Sequence, residues 1–291
     1  MASRPGKLTV MTDTGSGLIM TKGRQISLYP ADAQAQISIR GLGKVFPRGL
    51  VEALKDIDLD IPAGQFVSLL GPSGCGKSTL LNAIAGFEVP TSGQLLVDGR
   101  AVSGPGPDRG MVFQEYALFP WMSVAKNISF GLDVKGVPKA EAAARVEMLL
   151  AKLRLAEFRD RYPKDLSGGM RQRVAIARIL ALDSPIMLMD EPFGALDSLT
   201  RRTLQDELLR IWQEFGKTIV FVTHSIEESL YLSDRVVVMT YRPGTIKRDL
   251  MVDLAHPRDP SSSDFNRLKR ELSQLVMEEQ TRSEGLLPTG D

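Results

Sequence analysis

The segment GPSGCGKST at 71–79 constrains the fold more than any other part of the chain. It matches the pattern G-x-x-x-x-G-K-[ST] and joins the apolar run QFVSLLG (65–71) to the helix-like KSTLLNAIAGF (77–87). In that position the glycines allow backbone N–H groups to turn toward phosphates. The sequence therefore predicts a nucleoside triphosphate site on an α/β domain, rather than a glycine turn beside a surface lysine.

Residue types within this phosphate loop (71–79) match its chemistry. Lys77 is expected to neutralise the β- and γ-phosphates, and the Ser78 hydroxyl to ligate Mg²⁺. Cys75 stands at a wildcard position, where a small filler residue is favoured over a redox role. The residues predicted to bind ATP are Gly71, Pro72, Ser73, Gly74, Cys75, Gly76, Lys77, Ser78 and Thr79.

The pattern of apolar residues predicts a mostly parallel sheet covered on both faces. Helical spacing dominates 124–183, which indicates a helical block inserted into an α/β domain. Predicted strands are QISIRGLGKVF, ALKDIDLDI, GQLLVDG, RGMVFQ, PIMLMD, TIVFVTH and RVVVMT, and further helices are SLTRRTLQDELLRIWQEFG, SIEESLYLSD and about 264–280.

One large domain with two short appendages is expected. Residues 1–35, rich in Gly, Ser, Thr and Pro, are predicted to form a flexible leader. The main domain is predicted over 36–255, its helical part at about 115–183, and a helical extension over 256–291.

Composition argues against several classes of function. The net charge is +1 and no dense run of Lys and Arg occurs, so a nucleic-acid partner is not expected. The single cysteine excludes an intramolecular disulfide and fits a reducing compartment. No apolar run is long enough to span a bilayer, and the N-terminus lacks the apolar core of a secretory signal, so a soluble intracellular chain is expected.

Two adjacent carboxylates, Asp190 and Glu191, follow the apolar run IMLM. At the C-terminal end of a strand both side chains can reach one site. Asp190 is expected to hold Mg²⁺ through water, and Glu191 to orient or deprotonate the attacking water. Without the phosphate loop, the same pair would be interpreted as a solvated turn.

Other polar residues stand at the ends of predicted elements. His224 lies between TIVFVT and a capping box, SIEE at 225–228, where it could contact a γ-phosphate. Gln114 ends the predicted strand RGMVFQ, from which it can reach a metal or water. Asp197 is placed to cap the next helix and is equally a candidate for a catalytic interface. His256 is interpreted as structural.

A second phosphate-binding segment, LSGGMRQR at 166–173, occurs in a chain that already has one. Ser167, Gly168 and Gly169 precede a predicted helix, whose first N–H groups can bind an anion. Arg173 is expected on the solvated helix surface. Because the phosphate loop already encloses the triphosphate of one nucleotide, this signature segment (166–173) has no obvious ligand in its own chain.

In this order the segments resemble the nucleotide-binding subunit of ATP-binding-cassette (ABC) transporters, over roughly 36–245. The resemblance rests on GPSGCGKST, VFQEYALFPW, LSGGMRQR, MLMDEP, FGALD and His224, of which LSGGMRQR is the most discriminating. It implies an α/β fold of the P-loop NTPase type, with a RecA-like core, an antiparallel β subdomain and an inserted α-helical subdomain. It also implies ATP hydrolysis coupled to transmembrane transport.

The resemblance implies roles for single residues of the catalytic site. Phe46 would stack on adenine, although a packing role is also open for it. Gln114 would sense Mg²⁺ and the γ-phosphate. Glu191 would be the general base, and His224 would contact the γ-phosphate.

Other matching residues would serve contacts between subunits. Ser167, Gly168 and Gly169 would close over the ATP of a partner subunit in a head-to-tail dimer, and Asp197 would lie at the same seam. The segment FPW at 119–121 would lie where a permease's coupling helix docks, although a buried core position is equally open for its tryptophan.

The implied partners are a second ATPase subunit, identical or similar, transmembrane permease subunits and, indirectly, an extracytoplasmic solute-binding protein. The chain would lie on the cytoplasmic side of the plasma membrane. GPGPDR (104–109), PW (120–121) and RPG (242–244) resemble the nitrate, sulfonate and taurine import group. EYALFP is shared with sugar and polyamine importers, which remain an alternative.

Two other classes of function compete with an importer ATPase. A soluble ABC ATPase of DNA repair or translation typically has a coiled-coil insert or two tandem cassettes, and this chain has one cassette. A small-molecule P-loop kinase would leave LSGGMRQR and Glu191 without a use. The sequence therefore favours the ATPase subunit of an importer.

Overall fold

The computed structural model describes residues 18–21, 24–27, 35–47 and 51–285. The strands are β1 Leu18–Thr21, β2 Arg24–Ser27, β3 Ala35–Phe46, β4 Val51–Pro62, β5 Phe66–Leu70, β6 Ser92–Val97, β7 Arg100–Ala101, β8 Arg109–Val112, β9 Ile186–Asp190, β10 Thr218–Thr223, β11 Arg235–Met239 and β12 Ile246–Met251. The helices are α1 Lys77–Ala85, α2 Val124–Val134, α3 Lys139–Lys152, α4 Gly168–Leu182, α5 Ser198–Phe215, α6 Ile226–Leu232 and α7 Ser263–Gly285.

A six-stranded sheet in the order β12-β11-β5-β10-β9-β8 carries the candidate site. All its neighbouring strands are parallel except β12, which pairs antiparallel with β11. The predicted mostly parallel sheet is confirmed. The strand predicted in RGMVFQ ends at Val112, two residues before Gln114, because the exposed Phe113 leaves the ladder and packs on Phe87, with ring centroids 5.9 Å apart.

Two hydrophobic cores cover opposite faces of this sheet. Along β9, Met187 and Met189 pack into the core that includes α2 to α6, whereas Ile186 and Leu188 pack with α1 and the antiparallel sheet. Successive strand residues point to opposite faces, so the alternation directs Asp190 toward α1. The predicted cover on both faces is confirmed, and it sets the direction of the carboxylate.

A second sheet, in the order β4-β3-β6-β7, is antiparallel throughout. The helical spacing predicted for 124–183 is confirmed by α2, α3 and α4, with α2 packed against both of the others. The amphipathic helix expected at about 264–280 is α7. The domain boundaries themselves stay predictions.

The predicted leader, 1–35, lies mostly outside the described residues. Within it, β1 and β2 pair antiparallel, from Leu18 with Ser27 to Thr21 with Arg24. In the described ranges, no helix combines the length and the apolar character that crossing a membrane requires.

Candidate ATP-hydrolysis site

The phosphate loop connects β5 to α1, and its glycines are required by both conformation and space. Gly74 and Gly76 have φ of 78° and 102°, in the left-handed region that favours glycine. A Cβ on Gly76 would lie 2.7 Å from Leu54 Cδ2 and 2.8 Å from Ala53 O. No side chain caps the start of α1, which leaves its first N–H groups to an anion.

Lys77 is held inside this loop with only 5% of its surface exposed. Its Nζ donates to Gly71 O at 2.8 Å and to Pro72 O at 2.9 Å. The neighbouring Cys75 is fully buried, and burial raises the pKa of its thiol. The structure therefore supports the small filler role predicted for Cys75.

Ser78 and Asp190 meet at the carboxyl end of the sheet, where Ser78 Oγ donates to Asp190 Oδ1 at 2.9 Å. Burial raises the pKa of Asp190 above its ordinary 3.8 and outweighs the Ser78 hydrogen bond and the Lys77 charge, which lower it. Among the described residues, no cluster of three or more His, Cys, Asp or Glu side chains could hold a metal. One carboxylate and one hydroxyl suit Mg²⁺, which takes its other ligands from water and substrate phosphates.

Glu191 and His224 are brought together by the parallel pairing of β9 and β10. Val222 pairs with Asp190, so the residues that follow the two strands emerge side by side. The Glu191 N–H donates to Val222 O at 3.0 Å, and Glu191 Oε2 lies 3.2 Å from His224 Nδ1. The His224 side chain is 62% exposed and that of Glu191 25% exposed. The pair can therefore contact a ligand that approaches from solvent.

A buried carboxylate that sequence reasoning missed, Glu228, lies behind His224. Thr223 Oγ1 donates to Glu228 Oε2 at 2.7 Å and Gln205 Nε2 to Glu228 Oε1 at 3.3 Å, while burial raises the pKa of Glu228. Only half of the predicted capping box forms. Ser225 Oγ accepts the Glu228 N–H, but the Ser225 N–H donates to Thr223 Oγ1 rather than to Glu228. The Glu228 carboxylate instead accepts from Thr223 and so orders the end of β10, just before His224.

The signature segment places Ser167 at the N-cap of α4, where its side chain accepts the Met170 N–H at 3.3 Å. Gly168 and Gly169 are the first two residues of the helix. A Cβ on Gly169 would lie 3.0 Å from Thr200 Cγ2, so this glycine allows α4 to approach the start of α5 closely.

Asp197 caps α5, and its Oδ1 accepts the Thr200 N–H at 3.0 Å. This backbone hydrogen bond is the main reason that the pKa of Asp197 is lowered. The cap role is confirmed. The starts of α4 and α5 line one cleft, formed by Ser167, Gly169, Met170, Arg173, Leu199, Thr200, Thr203 and Leu204.

Arg173 differs from its prediction. Its Nε donates to Glu207 Oε2 on α5 at 2.8 Å, and its side chain is only 19% exposed. Because α4 packs on α5, this arginine is in an ion pair rather than on a solvated surface.

Comparison with known proteins agrees with this geometry. Residues 54–194 match the family model described as ABC transporter. The taurine import ATP-binding protein TauB of Roseobacter denitrificans is 50% identical over 222 residues, which cover 75% of this chain and 83% of that protein. The nitrate import ATP-binding protein NrtD of Synechocystis sp. is 47% identical over 237 residues, 81% of this chain and 89% of that protein. The chain is an ATP-binding subunit of the ABC transporter family.

ABC subunits of this kind are ATPases, and the ATPase activity expected from the sequence is confirmed. The cassette MJ0796, in a dimeric post-hydrolysis state bound to ADP and Pi, has a TM-score of 0.66 and 33% identity, and the match covers 75% of this chain and 100% of that one. The expected P-loop NTPase fold of ABC type is confirmed as well.

Gln114 and Phe46 occupy less constrained positions in this ABC subunit. Gln114 is exposed, two residues beyond β8 and beside the strand that carries Asp190. Phe46 is the half-buried last residue of β3, with Lys44 Nζ 4.9 Å from its ring centroid. Their roles in nucleotide binding stay predictions.

The FPW segment lies on the surface of the ABC subunit. Trp121 is 71% exposed, which excludes the buried core position that the sequence left open. Phe119 is half-buried, with its ring centroid 4.5 Å from that of Phe130. The buried Asn127 fixes this loop, because its side chain bonds both the N–H and the O of Phe119 and also Met122 O.

Proposed function

We propose that this chain hydrolyses Mg·ATP to power the import of nitrate, a sulfonate, taurine or a related small solute. The observation that carries the proposal is the 3.2 Å approach of Glu191 to His224 at the edge where Ser78 meets Asp190. The solute class is supported by TauB and NrtD, which are about half identical to this chain.

In this proposal, the phosphate loop and Lys77 bind the triphosphate, and Phe46 stacks on the adenine. Ser78 and Asp190 would hold Mg²⁺, assisted by Gln114, and the ion would neutralise charge on the phosphate oxygens. Glu191 and His224 would then act on the reacting atoms.

Glu191 would accept a proton from the attacking water, or orient that water, for in-line attack on the γ-phosphate. His224 would contact the γ-phosphate. The approach of His224 Nδ1 to Glu191 Oε2 supports this division of roles, because one phosphoryl group could contact two side chains that lie so close together.

We further propose that two copies of the chain, or this chain and a similar one, assemble head to tail. Ser167, Gly168 and Gly169 would bind the ATP held by the partner, and Asp197 would lie at the seam. Ser167 and Asp197 are both exposed, and the helices that they cap line one cleft. The dimeric state of the related cassette MJ0796 adds support.

Permease subunits are the proposed membrane partners, with the chain peripheral on the cytoplasmic side and a solute-binding protein acting indirectly. The support is the exposed Trp121 beside Phe119, an aromatic surface that a helix of a partner can cover. The names of TauB and NrtD as import proteins support the same assembly.

Uptake measurements test this function. Cells that lack the gene should lose uptake of labelled taurine, an alkanesulfonate or nitrate, and the parent gene should restore it. A Glu191→Gln copy, matched in expression, should not. Unchanged uptake of all three solutes, with loss of polyamine or sugar uptake instead, would overturn the proposed solute class.

A further inference from the structure

We propose that Arg242 is a positioning residue for the phosphate loop, and that the C-terminal helix α7 holds it in place through Glu279. Arg242 Nε donates to Gly74 O at 2.9 Å. A Cβ on Gly74 would lie 3.4 Å from Arg242 Nη2, so the guanidinium lies directly on the loop backbone.

The segment 240–245 touches the phosphate loop region at a second point, through Gly244. The Gly244 N–H donates to Ala53 O and the Lys55 N–H donates to Gly244 O, both at 3.0 Å. A Cβ on Gly244 would lie 2.2 Å from Cys75 O, so the two backbones are in contact. Arg242 therefore projects from a segment whose backbone is itself fixed against the loop.

Glu279 connects α7 to this segment. It is 1% exposed, its Oε2 accepts the Tyr241 N–H at 2.9 Å, and its Oε1 accepts from Lys247 Nζ at 2.8 Å. A buried carboxylate is stable only when it is paired and hydrogen-bonded, so these contacts fix the position of the Glu279 side chain. The residue next to Arg242 is thereby tied to the C-terminal helix.

The contact has a direct consequence for phosphate binding. In a planar trans peptide the C=O and the following N–H point in opposite directions. Arg242 holds Gly74 O on one side of this peptide, and on the other side the Cys75 N–H donates to Pro72 O, with N and O 3.4 Å apart. Arg242 thus fixes the Gly74–Cys75 peptide of the phosphate loop. Without Arg242, ATP binding would have to order this peptide, and that ordering costs binding free energy.

The test is equilibrium binding of a fluorescent ATP analogue with Mg²⁺ to the full-length chain, together with ATPase kinetics. Arg242→Ala should raise Kd and KM by about 3- to 10-fold, the scale of one net hydrogen bond, with kcat changed by less than about 2-fold. Unchanged affinity, or a loss of kcat at constant KM, would overturn the positioning role.

Glu279→Ala and Glu278→Ala form a matched pair. Both glutamates pair with Lys247, but only Glu279 bonds the Tyr241 N–H. Glu279→Ala should weaken ATP binding as Arg242→Ala does, and Glu278→Ala should not. In the double variant Arg242→Ala/Glu279→Ala, the affinity should equal that of Arg242→Ala alone. Additive losses, or equal losses for the two glutamates, contradict the role of α7.

Amide hydrogen exchange tests the same link without altering the buried Glu279. ATP should slow exchange at the Tyr241 N–H in the parent and leave it unchanged in Arg242→Ala, because coupling between two sites is reciprocal. The proposal rests on the phosphate loop being the ATP site, which Lys77→Ala checks separately. If Lys77→Ala binds ATP normally, the site assignment fails. If it loses binding while Arg242→Ala does not, only the positioning role fails.

Discussion

At the scale of single residues, side-chain direction decides which groups meet in the site. Strand alternation turns Asp190 toward Ser78 on α1, and the next residue emerges beside His224. The carboxylate proposed to bind Mg²⁺ and the one proposed to activate water are therefore adjacent in sequence but point to different neighbours.

Glu191→Gln is expected to lower ATP turnover by ~10²-fold or more, because the amide cannot accept a proton from water. ATP binding should persist, since Glu191 follows β9 and is not part of the phosphate loop. Phosphate release and ATP binding would be measured together. Glu227→Gln, on α6 and paired with Lys269, is the control and should match the parent. Near-parent turnover in Glu191→Gln would remove Glu191 from its proposed role.

Asp234 makes stability depend on pH. Its Oδ2 accepts the Phe66 N–H at 3.1 Å, and burial raises its pKa from 3.8 to about 6. The folded chain then holds the proton more tightly than the unfolded chain, so this contribution to stability is complete below pH 3.8 and is lost as the pH rises through about 6.

The Asp234→Asn variant removes this titration. Its free energy of unfolding, relative to the parent, should rise with pH across that window by up to about 3 kcal/mol. Urea unfolding at a series of pH values measures the difference. A difference that is flat with pH would show that Asp234 does not titrate in this way.

At the scale of elements, side chains at the helix starts set the geometry of the cleft between α4 and α5. Asp197→Ala should lower the free energy of unfolding by about 1 kcal/mol, because the Thr200 N–H loses its acceptor. Asp197→Asn keeps an acceptor and should cost only a few tenths. Equal losses in the two variants, measured by urea unfolding, would contradict the cap.

Local periodicity predicted most elements, because burial on one or both faces shows directly in the spacing of apolar residues. Where the prediction was wrong, a side chain outside the predicted pattern competed. Phe113 leaves β8 to pack on Phe87, and the Thr223 hydroxyl takes the place that Glu228 would have in a capping box. The ion pair of Arg173 with Glu207 depends in the same way on how two helices pack.

At the scale of the whole molecule, the residues of the candidate site could be predicted from the sequence, whereas the long-range contacts that hold them could not. The phosphate loop and the carboxylates were predictable because their spacing is local and fixed by chemistry. The bond from Arg242 to Gly74 spans 168 positions and that from Tyr241 to Glu279 spans 38, so only the folded chain shows them. RPG at 242–244 was visible in the sequence only as a mark of an import group.

The proposal with the widest consequence is that a second copy completes each ATP site. Ser167 is exposed at the start of α4, in the cleft that it shares with α5. A long cationic side chain there would obstruct a partner's nucleotide without touching the chain's own phosphate loop. Ser167→Thr keeps a capping hydroxyl and serves as the control.

The most direct measurement follows Ser167→Arg by analytical ultracentrifugation with ATP, alongside ATP binding and hydrolysis by the same preparation. The expected result is loss of the ATP-dependent dimer and of hydrolysis, with the Kd for ATP of the isolated chain within about 2-fold of the parent. A Kd that rises in step with the loss of hydrolysis would contradict the shared site, because the signature segment would then serve the ATP of its own chain.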